Sequence, residues 1–142
     1  FRLDVKVNRL SYEDQPPIVK ELEDFYTLVD SMIYCHFLCL PIAGPILWDE
    51  MLEAFNGVTG LNMDMSTFRM CAVRINNLIR LYNLREGAPL DREYPKAWLT
   101  QKLKRRGADC EVVNEKKLQE MLTEYYRLRG WSDKGIPVDQ DV

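Results

Sequence analysis

A chain of 142 residues, 46% hydrophobic and 29% charged, is long enough for one domain with a buried core and has an ordinary globular balance. Its 19 basic and 22 acidic residues leave a net charge of −3, with no concentrated positive face for a nucleic-acid backbone. The longest apolar stretch, Leu28 to Leu40, is interrupted by Asp30 and His36 and stopped by Pro41. A membrane span needs about 20 apolar residues, so this stretch reads as a buried helix.

The chain starts at Phe1 rather than Met, which is read as a start inside an open reading frame and fits a piece of a larger protein. Its 4 cysteines, Cys35, Cys39, Cys71 and Cys110, show no pairing pattern of a small secreted scaffold. Reduced cytoplasmic thiols are the reading.

From Phe1 to Leu10, Leu3, Val5 and Val7 alternate with Arg2, Asp4 and Lys6, the period of a strand or extended lead-in. That lead-in is expected over residues 1–17, with a helical body over 18–142. From Ile18 the period changes: Ile18, Leu22, Phe25, Val29 and Met32 form an amphipathic stripe, with Pro17 at the first helical position. This helix runs into the segment Asp30 to Phe37 and must end by Pro41. A second helix follows Pro45, with Leu47, Met51, Leu52 and Phe55 inward and Asn56-Gly57 ending it.

A third helix is capped by Asp64 or Ser66 and carries Phe68, Ala72, Ile75, Leu78, Ile79 and Tyr82 on one face. Gly87 and Pro89 stop it, and Arg69, Arg74, Arg80 and Arg85 take its other faces. The looser stretch Ala88 to Val113 has room for a short helix and includes the basic run Lys102 to Arg106, read as a solvated surface. Asn114 then caps a last helix with Leu118, Met121, Leu122 and Tyr125 inward, closed by Gly130. The tail with Gly135 and Pro137 reads as a surface loop. The expectation is an all-α fold: one irregular helical domain of about four main helices, with one apolar face left exposed.

Asp30 and Cys35 are the residues with chemistry to offer. On a regular helix, five residues place two side chains about 140° apart, so both can face one ligand only if the helix ends or distorts between them. A cysteine alone is as readily a buried thiol. An Asp in an apolar segment needs hydrogen-bond donors, from a ligand or from a helix terminus. Cys39 and His36 beside Cys35 suggest a Cys/His metal cluster, but there is no Cys-x-x-Cys pair and Cys71 and Cys110 are scattered. His36, the only histidine, reads as a packed residue with no triad to join.

Three strings, Asp30-Ser-Met-Ile-Tyr-Cys35-His-Phe37, Arg74 to Gly87 and Leu122 to Pro137, resemble in order and spacing the C-terminal part of the tungsten-containing aldehyde:ferredoxin oxidoreductases. In that family an Asp-x-x-Gly-Leu-Cys motif contacts a pterin through its Asp and supplies one iron–sulfur ligand through its Cys. The resemblance implies that Asp30 is a pterin contact and Cys35 a ligand of a 4Fe-4S cluster. It also implies a parent enzyme holding tungsten or molybdenum on two pterins, with ferredoxin as electron acceptor. Family members oxidise an aldehyde to a carboxylic acid, and three of their cluster cysteines lie in an upstream Cys-x-x-Cys-x-x-x-Cys motif absent here. The chain alone is therefore expected to be inactive and to hold neither iron nor tungsten. Ile33 and Tyr34 stand where the family has Gly and Leu. That departure favours the alternative, a free-standing helical interaction module that kept the fold and lost the cofactor.

Overall fold

The computed structural model describes residues 11–39, 46–88, 91, 94–102, 104–105, 108–109 and 112–138. Of the extended lead-in expected over 1–17, residues 1–10 lie outside the described residues, as does Cys110. The elements are α1 (Gln15–Ser31), a 3-10 turn (His36–Cys39), α2 (Trp48–Thr59), α3 (Met65–Arg85), the single turn α4 (Ala97–Thr100) and α5 (Glu115–Arg129). Two-residue strands, β1 (Lys104–Arg105) and β2 (Ala108–Asp109), pair antiparallel between α4 and α5. The fold is all-α, with four main helices.

α1 begins at Gln15, ahead of the expected start, because its first turn accepts both Pro16 and Pro17 without losing a helical hydrogen bond. α2 does not end at Asn56-Gly57. It runs through Gly57 to Thr59, and Gly60, at φ +71°, makes the left-handed exit. Its start is held by the Leu47 N–H, which donates to Glu50 Oε2 at 3.0 Å. The caps of the other long helices fall where the sequence puts them. Asp64 accepts the Thr67 N–H at 2.7 Å to open α3, and Asn114 accepts the Lys117 N–H at 3.0 Å to open α5.

α1 is the central element, packed on both α3 and α5, while α2 packs on α3. The core joins Phe25, Leu28 and Val29 of α1 to Trp48 and Met51 of α2 and Phe68 and Ala72 of α3, with Cys39 at its edge. Burying each of the larger side chains contributes about 1.5 to 3 kcal/mol. Edge-to-face contacts order this core: Trp48 meets Phe25 at 5.4 Å and Phe68 at 6.3 Å between ring centroids. The indole N–H donates to Glu21 Oε1 at 2.9 Å, and Arg69 lies over the Trp48 ring while pairing with the same carboxylate.

The apolar stripe of α3 leaves the core after Ile75, so Leu78, Ile79 and Tyr82 are exposed. On α5 the deeply buried ring is Tyr126, with Tyr125 half-buried. Arg129 is buried completely, and its guanidinium pairs with Asp24 and Glu23 of α1. Asp24 also accepts from Lys20 at 2.8 Å and from Asn76 of α3 at 2.9 Å, so three elements share one carboxylate. Burial works against the Arg129 charge, yet Tyr125, Glu23 and Asp24 outweigh it and hold its pKa above the ordinary arginine value.

The tail is not a loose surface loop. Trp131 bridges to Pro137, and Gly135 and Pro137 are buried. Arg80, read from the sequence as one of the outward arginines, instead lies against this tail. Its Nε donates to the Gly135 carbonyl at 2.8 Å and its Nη1 to Asp91 at 3.0 Å.

Candidate functional site

The segment that carries Asp30 and Cys35 is built around the end of α1. Ser31 is the last helical residue, Met32 caps it, and Ile33 sits at φ +59° in the left-handed region. The Ile33 N–H donates to the Asp30 carbonyl at 3.0 Å and the Tyr34 N–H to the Val29 carbonyl at 2.9 Å. Together these are the two bonds of a Schellman motif, with Ile33 in the position usually given to glycine. Tyr34 packs back on the core, the hydrophobic contact that accompanies the motif. A β-branched residue in this backbone costs about 1 to 2 kcal/mol. The cost is tolerated because the flanking bonds and Tyr34 determine the turn.

The helix thus ends between Asp30 and Cys35, which removes the about 140° separation that a continuous helix would impose. Both side chains are exposed. Asp30 is not desolvated in an apolar segment: its side chain is 68% exposed. Its partner is His36, whose Nε2 lies 2.6 Å from Asp30 Oδ1. A ring N–H at Nε2 can donate to this carboxylate oxygen, and the separation is that of a hydrogen bond. The His36 ring is stacked on Tyr26, with centroids 4.9 Å apart and planes inclined by 27°. His36 is therefore an exposed residue held on one face, rather than one packed in the interior.

Cys35 and Cys39 have opposite environments. Cys35 is exposed and Cys39 is buried at the rim of the core. Burial, with Cys35 nearby, pushes the Cys39 thiol above its ordinary pKa. A thiol that resists ionisation is a poor metal ligand. Among the described residues no three His, Cys, Asp or Glu side chains come together in a way that could hold a metal ion. The Cys35–His36–Cys39 cluster suggested by the sequence is not assembled.

Asp30 also stands on a groove of about 340 Å3 bounded by α1, α3, α5 and the tail, where Tyr26, Thr27, Asn76, Asn83, Tyr125 and Trp131 are among the lining residues. The exposed side chains of Ile33, Phe37 and Leu38 flank Cys35 in sequence. The contact between Asp30 and His36 was missed by sequence reasoning. Six residues is no helical repeat, and the pairing exists only because Ile33 reverses the chain.

A family model described as aldehyde ferredoxin oxidoreductase, domains 2 and 3, matches residues 2–142. The tungsten-containing aldehyde ferredoxin oxidoreductase of Thermococcus kodakarensis is 29% identical over 115 residues, covering 80% of this chain and 18% of that protein. The protein of the same name from Pyrococcus furiosus is 28% identical over 131 residues, covering 90% of this chain and 20% of the relative. This chain thus spans about a fifth of the length of the curated relatives it matches. No solved structure gives a significant match. No helix among the described residues is long and apolar enough to cross a membrane. With the match running over nearly its whole length, the chain belongs to the aldehyde ferredoxin oxidoreductase family.

Proposed function

We propose that this chain is the C-terminal helical part of a tungsten- or molybdenum-pterin, iron–sulfur oxidoreductase. The parent oxidises an aldehyde to a carboxylic acid and passes the electrons to ferredoxin, in the cytoplasm. Cys35 supplies one thiolate to a 4Fe-4S cluster, and Asp30 accepts hydrogen bonds from the amino and ring N–H groups of a pterin. When bound, the metal–pterin centre and the cluster supply the redox chemistry. This chain's own part is to bind and orient.

The observation that carries this reading is the turn at Ile33. It keeps a left-handed backbone where the family motif has glycine, and leaves Asp30 and Cys35 exposed on either side of the helix end. The donor set fits: a carboxylate suits the N–H edge of a pterin, and an exposed thiol suits iron. Free Cys35, Cys39 and Cys71 suit a reducing compartment. The rival reading, a free-standing interaction module, rests on the loss of Gly-Leu; the turn that Ile33 and Tyr34 still form supports the enzyme reading instead. With one cluster cysteine of the four required, the chain alone is inactive in this reading.

The test is a set of three variants in the full-length protein. Cys35→Ala is expected to lose or convert the cluster, seen as lost iron and an altered low-temperature paramagnetic signal. Cys39→Ala is expected to keep both, because that thiol is a small buried hydrophobe. Asp30→Asn is expected to weaken pterin retention at full iron. Loss of the cluster in Cys39→Ala with retention in Cys35→Ala would overturn the ligand assignment.

A further inference from the structure

We infer that His36, clamped on Tyr26, is a positioning residue that fixes the Asp30 carboxylate for its pterin. This rests on the reading of Asp30 given above. Asp30 is the second-to-last residue of α1 and its side chain is largely exposed, so without a partner the carboxylate would rotate freely. His36 removes that freedom. Its Nε2 holds Oδ1 at 2.6 Å, which leaves Oδ2 to accept from a ligand.

The imidazole is itself fixed, because it opens the 3-10 turn His36–Cys39 and lies flat on Tyr26 at 4.9 Å. Tyr26 in turn meets Phe25 edge-to-face at 5.3 Å and packs against the core. A rigid path therefore runs from the core through Tyr26 and His36 to the carboxylate. Tyr26 and Asp30 also border the same groove, bounded by α1, α3, α5 and the tail. An exposed carboxylate with a stacked hydrogen-bonding partner is what orienting a ligand requires, since partners one step removed typically change affinity about 10- to 100-fold at metal sites.

Histidine at this position has no core role to explain it. Its side chain is 55% exposed, so its removal leaves the packing of Phe25, Leu28 and Val29 untouched.

The experiment uses the full-length protein, purified anaerobically as wild type, Asp30→Ala, His36→Ala, His36→Gln and Tyr26→Phe. Pterin and iron per chain are measured after gel filtration in mild urea, along with the melting temperature. His36→Ala is expected to lose retained pterin about 10-fold at unchanged iron and unchanged melting temperature. His36→Gln, which keeps an N–H for the carboxylate, is expected to recover part of the loss, and Tyr26→Phe, which keeps the stacking face, to match wild type. Wild-type pterin in His36→Ala alongside loss in Asp30→Ala would overturn the positioning role and leave the reading of Asp30 standing. Wild-type pterin in Asp30→Ala would overturn that reading and the inference with it. Joint loss of pterin, iron and melting temperature in His36→Ala would show a merely structural residue and also overturn the inference.

Discussion

The backbone N–H of Tyr34 reaches the carbonyl of Val29 at 2.9 Å, and this bond turns the chain out of α1 between the two residues that match the family motif. The residue enclosed by that bond, Ile33, has a positive φ and a side chain 91% exposed. Its side chain contributes little packing of its own, so the strain is carried by the flanking bonds and Tyr34.

Ile33→Gly should therefore stabilise the chain. Relief of the left-handed penalty, about 1 to 2 kcal/mol, exceeds the added entropy of an unfolded glycine, about 0.5 to 1 kcal/mol. A net gain of about 0.5 to 1 kcal/mol follows, read as a higher urea midpoint at unchanged slope. Ile33→Pro, whose φ is locked near −65°, should instead lower the midpoint. An unchanged midpoint in Ile33→Gly would show that the turn holds no strain.

Arg129 and Asp24 form a buried ion pair between the last and first long helices. Arg129→Met should destabilise by about 2 to 4 kcal/mol, because it removes the buried cation from a carboxylate that keeps Lys20 and Asn76 as partners. Adding Asp24→Asn should cost less than the sum of the two single changes, as expected when the two side chains interact directly. Urea unfolding of the four chains closes the cycle, and strict additivity would count against the pair.

Gly135 has no room for a side chain. At φ +68° an added Cβ would lie 2.6 Å from Arg80 Nη2 and 2.8 Å from Tyr126 Cζ. The Tyr126 ring is buried and cannot yield, so Gly135→Ala should cost about 1 to 3 kcal/mol. A thermal melt within a degree of wild type would mean that the tail detaches freely.

Thiol labelling should separate the two neighbouring cysteines. Cys35 is exposed and should alkylate first, followed by half-buried Cys71, with Cys39 last; peptide mapping gives the order. For Cys39 the raised pKa fixes the sign of the pH dependence. The folded chain holds that proton more tightly than the unfolded one, so the stability it contributes is intact below pH 9 and lost as pH rises beyond it. Cys39→Ala should flatten the alkaline fall in stability.

Much of this fold was legible in the sequence. The stripe through Phe25 and Val29, the caps Asp64 and Asn114 and the stop at Gly130 are local signals, and each corresponds to an observed feature. What escaped were tertiary effects. Gly57 looked like a terminator because Asn-Gly so often ends helices, yet Gly60 supplies the left-handed exit. Arg80 looked solvated because the tail that covers it lies 55 residues away. Tyr126 is buried ahead of Tyr125 because Trp131 and Gly135 close over its ring, which the helical period alone cannot show. At the candidate site, the family string picked out Asp30 and Cys35, while His36 became a partner only through a backbone reversal at a residue whose type disfavours it.

Asp24 and Asp30 share α1 six residues apart, and at 3.6 residues per turn their side chains leave the axis roughly 120° apart. Asp24 is gripped by Arg129, Lys20 and Asn76, so α1 cannot roll about its own axis without breaking bonds to α5 and α3. The bearing on which Asp30 points outward is thus set at the opposite end of the chain, by an arginine one residue before the glycine that ends α5. Aim and grip are divided between two faces of one helix.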